Sequence, residues 1–199
     1  MIARACRRTG GVTLLAFILT LLPGPAGAHD LPAMPGAGPE DVWVMVDTAS
    51  LTLSLMQGDA VLLSYDNIAI GSRGASWRKH TRDEKTPKGD FRINEVRVSE
   101  RFRLFLSLDY PNMKHAERAL REGRLDAGEY HRIEQAWSRG VPPPQDTPLG
   151  GHLGIHGLGS GDREIHDRIN WTDGCVALTN GQVEELAARI SRGTVVRIR

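Results

Sequence analysis

Val42 to Tyr65 reads VWVMVDTASLTLSLMQGDAVLLSY, and the alternation within it decides the fold class. Val42-Trp43-Val44-Met45-Val46, Leu51-Thr52-Leu53-Ser54-Leu55-Met56 and Val61-Leu62-Leu63-Ser64-Tyr65 are short β-rich segments separated by turn-formers such as Gln57-Gly58-Asp59. Apolar residues at every second position give a strand one buried face, so the spacing predicts a β-meander. Further strand candidates follow at Asn67 to Ile70, Gly89 to Val96, Phe102 to Leu108, Leu153 to His156 and Thr194 to Ile198. Together they predict a mostly β fold, a sandwich or an open barrel.

Two segments break the strand pattern. Asn112 to Trp137 carries helix-formers and charges at helical spacing, interrupted at Gly123 and Gly128, which predicts two short helices inserted between strands over about 112–138. Such an insertion is either a solvated hairpin or a wall beside a cleft. Pro142-Pro143-Pro144 closes it as a stiff connector. A last helix is predicted from Asn180 to Ser191, with Val183, Leu186, Ala187 and Ile190 on one face and Asn180 or Thr179 as its cap.

The chain opens on an address label. Arg4, Arg7 and Arg8 precede an apolar run from Val12 to Leu22, and Ala26-Gly27-Ala28 fits a small-residue cleavage site, so residues 1–28 read as a signal peptide. The apolar run is shorter than the roughly 20 residues a membrane span needs. Cleavage leaves no membrane span and a protein beginning at His29, exported to the periplasm or cell envelope. Residues 29–40, rich in Pro, Gly and Ala, read as a linker, and 41–199 as one domain. Basic residues number 25 and acidic ones 24, so nothing in the charge invites nucleic acid as a partner.

Of the two cysteines, Cys6 lies in the presumed signal, which leaves Cys175 as the only thiol of the exported chain. An odd cysteine in an oxidising compartment is a reactive group, an intermolecular link or an inert buried hydrophobe. Its neighbours favour reactivity. Gly150-Gly151-His152-Leu153-Gly154-Ile155-His156-Gly157 is followed, after a Gly/Asp-rich loop, by Trp171-Thr172-Asp173-Gly174-Cys175-Val176-Ala177-Leu178-Thr179-Asn180. A thiol is mostly protonated at neutral pH, so a nucleophilic cysteine needs a base, and His156 supplies an imidazole. The carbonyl of Gly157 is placed to orient it. Gly174 permits a sharp turn in which the N–H groups of Asp173, Gly174 and Cys175 face a developing oxyanion. A zinc site from His152, His156, His166, Cys175, Asp162 and Asp167 is the competing reading, but the glycines make this segment strand and turn, not a helix carrying paired ligands. His152 and His166 are read as ordinary polar residues near the cleft, and Trp77 and Trp171 as core or cleft wall, with Trp171 the better wall candidate.

His156-Gly157 followed by Thr172-Asp173-Gly174-Cys175 resembles the signature of the L,D-transpeptidase catalytic domain, His-Gly, a spacer, then Ser/Thr-x-Gly-Cys. Lys85-Thr86-Pro87-Lys88-Gly89-Asp90-Phe91 resembles the family's Thr-Pro-x-Gly-x-Phe element, and Val44 to Met56 its opening strands. Ser107-Leu108-Asp109-Tyr110-Pro111-Asn112 before a helical insertion resembles a subgroup described as murein L,D-transpeptidases. The resemblance implies a β-rich fold and thiol acyl transfer on peptidoglycan stem peptides. Cys175 is then the nucleophile, His156 its base, Gly157 the orienter, and Gly174 and Cys175 the oxyanion site, with no metal or other cofactor. Trp171 and Thr172 become substrate-binding candidates. Where many members have His and Arg, this chain has Asp173 and Ala177, so Arg163, Arg168 or Arg118 is expected to meet the substrate carboxylate instead. The resemblance leaves open whether an amine or water resolves the acyl-enzyme, and whether a protein attached to murein is a partner. A wall-binding module with a structural Cys175 is the alternative from a different class.

Overall fold

The computed structural model describes residues 41–199; the expected signal peptide and linker lie outside the described residues. The first three strands, β1 (Val42–Asp47), β2 (Thr52–Gln57) and β3 (Ala60–Tyr65), form the meander expected from the alternation. After the short strands β4 (Ala75–Ser76) and β5 (Thr86–Pro87) come the long β6 (Gly89–Ser99) and β7 (Arg103–Leu108). Helices α1 (Met113–Arg121) and α2 (Ala127–Ser138) make the insertion. The chain then runs through β8 (Gly154–His156), α3 (Arg163–Arg168), β9 (Val176–Ala177), α4 (Asn180–Ala187) and β10 (Val195–Ile198).

Eight strands form one open sheet in the order β3-β2-β1-β10-β6-β7-β8-β9, and β4 pairs with β5 apart from it. Within the large sheet, β1 with β10 and β8 with β9 are parallel; the other neighbours are antiparallel. The fold is thus mostly β, as the alternation predicts. Val44 and Val46 of β1 and Leu53 and Leu55 of β2 are fully buried. They join a single apolar cluster with Phe91, Leu106, Ile155 and Val176 of the sheet, Ala116, Ala119 and Ile133 of the insertion, and Val183 and Leu186 of α4. The insertion is therefore packed onto the core, not a solvated hairpin.

Local chemistry sets the helix limits. Asn112 caps α1 by accepting the His115 N–H, and Gly123 takes the left-handed conformation (φ +65) beyond its end. Asp126 caps α2 through the Glu129 N–H at 2.8 Å. Thr179 and Gln182 form a reciprocal capping box on α4. That helix ends at Ala187, earlier than the apolar spacing predicts, although Ile190 still packs on the core. Asn67 to Ile70, expected as a strand, makes only isolated bridges, Ala69 with Ala177 and, just beyond it, Gly71 with Thr172. A side chain interrupts the ladder there, because the Ile70 N–H donates to Asn170 Oδ1 at 3.0 Å.

Ile155 is fully buried at the centre of β8, so Ile155→Ala removes core contacts without a route for solvent to refill them. Urea denaturation is expected to show a loss of about 2–5 kcal/mol, against about 1 kcal/mol for the surface cap change Thr179→Ala. Equal losses at the two positions would contradict this placement of the core.

Candidate active site

The site is assembled where two very short strands meet. In the parallel pair β8 and β9, Ile155 lies opposite Val176 and His156 opposite Ala177. One step earlier on each strand, Gly154 faces Cys175. Side chains at i and i+2 of a strand share a face, so His156 and Cys175 project from the same side of the sheet on adjacent strands.

Aromatic rings fix the imidazole of His156. The Phe102 ring lies 4.1 Å from it centroid to centroid, Phe105, its cross-strand partner, stacks at 6.0 Å, and Trp171 presents an edge at 5.8 Å. Nδ1 lies 2.8 Å from the Gly157 carbonyl. A carbonyl only accepts, so Nδ1 carries the proton and Nε2 keeps its lone pair, the tautomer a base requires. The backbone of Gly157 is equally constrained, since a Cβ there would lie 2.7 Å from Asn180 Oδ1 and 2.8 Å from the Phe102 carbonyl. Burial pushes the His156 pKa down to about 4, the Gly157 carbonyl opposing the shift only in part.

Thr172 holds the turn before Cys175. Its hydroxyl donates to the Cys175 carbonyl at 2.7 Å and accepts the Gly174 N–H at 3.1 Å. Its N–H and carbonyl are bound to the Ile70 carbonyl and the Ser72 N–H. Thr172, read from the sequence as a substrate contact, is thus buried and spent on the turn, and one of the three expected oxyanion donors, the Gly174 N–H, is engaged by it. Gly174 itself is at φ +126, and a Cβ there would lie 2.6 Å from the Lys85 carbonyl, so glycine is required on two counts.

Cys175 is a free, partly buried thiol that donates to the His152 carbonyl at 3.6 Å. Desolvation pushes its pKa up to about 11, against the pull of the Gly154 backbone and the Lys79 ammonium and with a push from Asp173. At neutral pH both sulfur and imidazole are therefore uncharged. A thiolate is reached from this state only by proton transfer.

A cavity of about 760 Å³ opens beside this turn, lined by Lys79, Gln145, His152, Leu153 and Asp173 among others, with Glu129 contributed by α2. Gln145 ties the connector to the site by accepting the His152 N–H at 2.6 Å and donating to the Tyr110 carbonyl at 2.9 Å. Asp173 is exposed at the cavity wall. Trp171 borders His156, and its indole N–H reaches His166 Nδ1 at 3.4 Å. Trp77, by contrast, is 45% exposed with the Arg118 guanidinium over its ring, so it belongs neither to the core nor to this wall. Arg163 and Arg168 pair along α3 with Asp167 and Glu164 at 2.8 and 2.6 Å, away from the cavity lining. The cations that do line it are Lys79 and Arg82, which the sequence did not single out. Among the described residues, no cluster of three or more His, Cys, Asp or Glu side chains is arranged to hold a metal ion.

The sheet thus brings a thiol and an imidazole onto one face of neighbouring strands. The L,D-transpeptidase catalytic domain (YkuD) family matches residues 41–198, and the chain belongs to that family. No curated protein matches the sequence. Among solved structures, the helical cell shape determining protein Pgp2 from Campylobacter jejuni superposes with a TM-score of 0.56 at 18% identity, covering 80% of this chain and 47% of that one. Bd1075 from Bdellovibrio bacteriovorus gives 0.51 at 18% identity, covering 80% and 48%. The chain thus spans about half the length of these two proteins, and the likeness is one of fold.

A histidine held well below its ordinary pKa binds its proton in the unfolded chain first. Its contribution to stability is full above pH 6.5 and is lost as the pH falls toward about 4. Urea denaturation at pH 7 and pH 4.5 is expected to show a smaller acid-side loss in His156→Gln than in the native protein, by roughly 2 kcal/mol. The same loss in both would contradict the buried neutral imidazole.

Proposed function

We propose that the protein remodels peptidoglycan as an exported cysteine L,D-transpeptidase. The observation that carries this reading is the shared face of His156 and Cys175, with Nδ1 capped by the Gly157 carbonyl and Nε2 left as a base. Stem peptide enters the cavity along Asp173 and His152, and the thiol turns from the His152 carbonyl to Nε2. The proton passes from Sγ to Nε2, and the thiolate so formed attacks the carbonyl joining the L-centre of meso-diaminopimelate to the terminal D-alanine. Negative charge gathers on the carbonyl oxygen, and with the Gly174 N–H engaged by Thr172, the N–H groups of Asp173 and Cys175 are the donors that remain for it. The imidazolium returns its proton to the departing amine of D-alanine, leaving a thioester on Cys175. An amine acceptor then attacks the thioester as Nε2 takes its proton; the C–S bond breaks, and the released Cys175 thiolate recovers that proton from the imidazolium.

The residues need no cofactor for this sequence of steps, since every proton moves between Sγ, Nε2 and the two amines. The site of action is the cell envelope, reached through the signal peptide read at residues 1–28. Among the described residues, no helix is long and apolar enough to cross a membrane. Trp171 offers the stem an aromatic surface beside His156, and the insertion lines the cavity through Glu129.

Incubation of the purified protein with a tetrapeptide stem is expected to give one acyl adduct on Cys175 by intact mass, release of D-alanine, and a cross-linked product when a labelled amine acceptor is present. Cys175→Ala is expected to abolish all three. Free acid as the only product from native protein would assign hydrolysis in place of transfer. D-alanine release by Cys175→Ala, or binding to murein with no thiol reactivity, would overturn the enzyme reading.

A further inference from the structure

Lys79 is a lysine where lysine is rarely found. Its side chain is 3% exposed, and Nζ donates to Asp83 Oδ1 at 2.8 Å and to the His80 carbonyl at 3.4 Å. An ammonium is costly to bury without partners, so its place in the wall of the active-site cavity calls for a physical role. It lies directly against the nucleophile's turn, because a Cβ on Gly174 would sit 3.1 Å from Nζ. Only a residue without a side chain lets the ammonium come this near the residue preceding Cys175. Two of its three N–H groups are committed to Asp83 and His80, and a third remains.

The ammonium is also held in place from several sides. Asp83 Oδ2 accepts the His80 N–H at 2.8 Å, and Oδ1 accepts the Lys85 N–H at 3.0 Å as well as the ion pair. Burial raises the Asp83 pKa, but the Lys79 pair and these N–H groups outweigh it and hold the carboxyl below its ordinary range. The Lys79 carbonyl accepts from Arg124, in the turn between α1 and α2, at 3.4 Å, and the Thr81 N–H is bound by the Pro148 carbonyl at 2.9 Å. The insertion and its connector therefore fix the loop that carries the charge.

We propose that Lys79, anchored by Asp83, is the fixed positive charge that stabilises the Cys175 thiolate as His156 takes its proton. The assignment rests on the nucleophilic role given to Cys175 above. The step itself is a single proton transfer from Sγ to Nε2 with no other bond made or broken. Where both partners start neutral in a desolvated site, the resulting charge separation needs a nearby cation on the sulfur side. The other charged group acting on the sulfur is Asp173, which opposes ionisation; Arg82 and Glu84 line the same cavity with opposite signs. Lys79 thus acts on the nucleophile through its field, and Asp83 acts by setting the position and strength of that field.

The test is the rate of Cys175 alkylation by iodoacetamide across pH 6 to 10, which needs no murein substrate. At pH 8, Lys79→Met is expected to slow alkylation roughly tenfold and displace the profile to higher pH, while Lys79→Arg restores it to within a few-fold. Asp83→Asn, which keeps the shape and removes the counter-charge, is expected to speed alkylation. Opposite signs in the two variants separate an electrostatic role from a structural one, because loosening the loop moves both the same way. Should Lys79→Met fail to fold, the doubly substituted protein with Lys79→Met and Asp83→Asn, compared with Asp83→Asn alone, is expected to show the same slowing. An unchanged profile in folded Lys79→Met, or shifts of one sign in both variants, would overturn the proposal. Alkylation shifts as expected from a protein that never acylates on a stem peptide would refute the transpeptidase reading and leave this one standing.

Discussion

The parallel pairing of β8 with β9 is the constraint on which the rest of the structure depends. Side chains alternate along a strand, so a slip of one residue in either partner would carry Cys175 to the face opposite His156. Strands of three and two residues are too short to hold a register alone. It is held from outside. Ala69 brackets Ala177 with two backbone hydrogen bonds, Thr172 is tied to Ile70 and Ser72, Leu178 donates to the His156 carbonyl, and Gly157 donates to Leu104 of β7. The fully buried Ile155 and nearly buried Val176 sit on the other face as the apolar anchor of the same pair.

Burial is what gives the site its chemistry and its difficulty. The aromatic enclosure that fixes one orientation of His156 also desolvates it, and the turn that seats Cys175 desolvates the sulfur. Each group resists the charge that proton transfer would give it. The balance is then set by fixed neighbours: the Gly157 carbonyl on the imidazole, and Lys79 and Asp173 with opposite signs on the sulfur. A preorganised field of this kind costs no reorganisation during reaction, because Asp83, Arg124 and the connector have already ordered the loop.

Much of this was legible in the sequence, for identifiable reasons. The alternation from Val42 to Tyr65 reports burial of one sheet face directly, and Thr179, one of the two caps offered for the last helix, marks its start through its own hydrogen bonds. His156-Gly157 and Gly174-Cys175 are readable through their resemblance to the family's signature; in the structure Gly157 is crowded by Asn180 and Phe102, and Gly174 takes a φ of +126. What escaped has separate causes. Asn67 to Ile70 has strand composition, but Asn170, far along the sequence, takes its hydrogen bond. Arg163 and Arg168 are expected at the substrate carboxylate from charge alone, and the sequence does not show that each pairs along α3 with a carboxylate one turn away. Lys79 was missed because lysine is normally a surface residue; the available signal was its spacing from Asp83 just ahead of Lys85-Thr86-Pro87.

The central claim is that an imidazole on β8 accepts the proton of a sulfur on β9. The most direct measurement is the single-turnover rate of acyl-Cys175 formation on a stem tetrapeptide in the native protein and in His156→Gln, followed by rapid-quench mass spectrometry. The account predicts a fall of about 10²–10⁴-fold with Cys175 still in place. Acylation of His156→Gln at the native rate would contradict it.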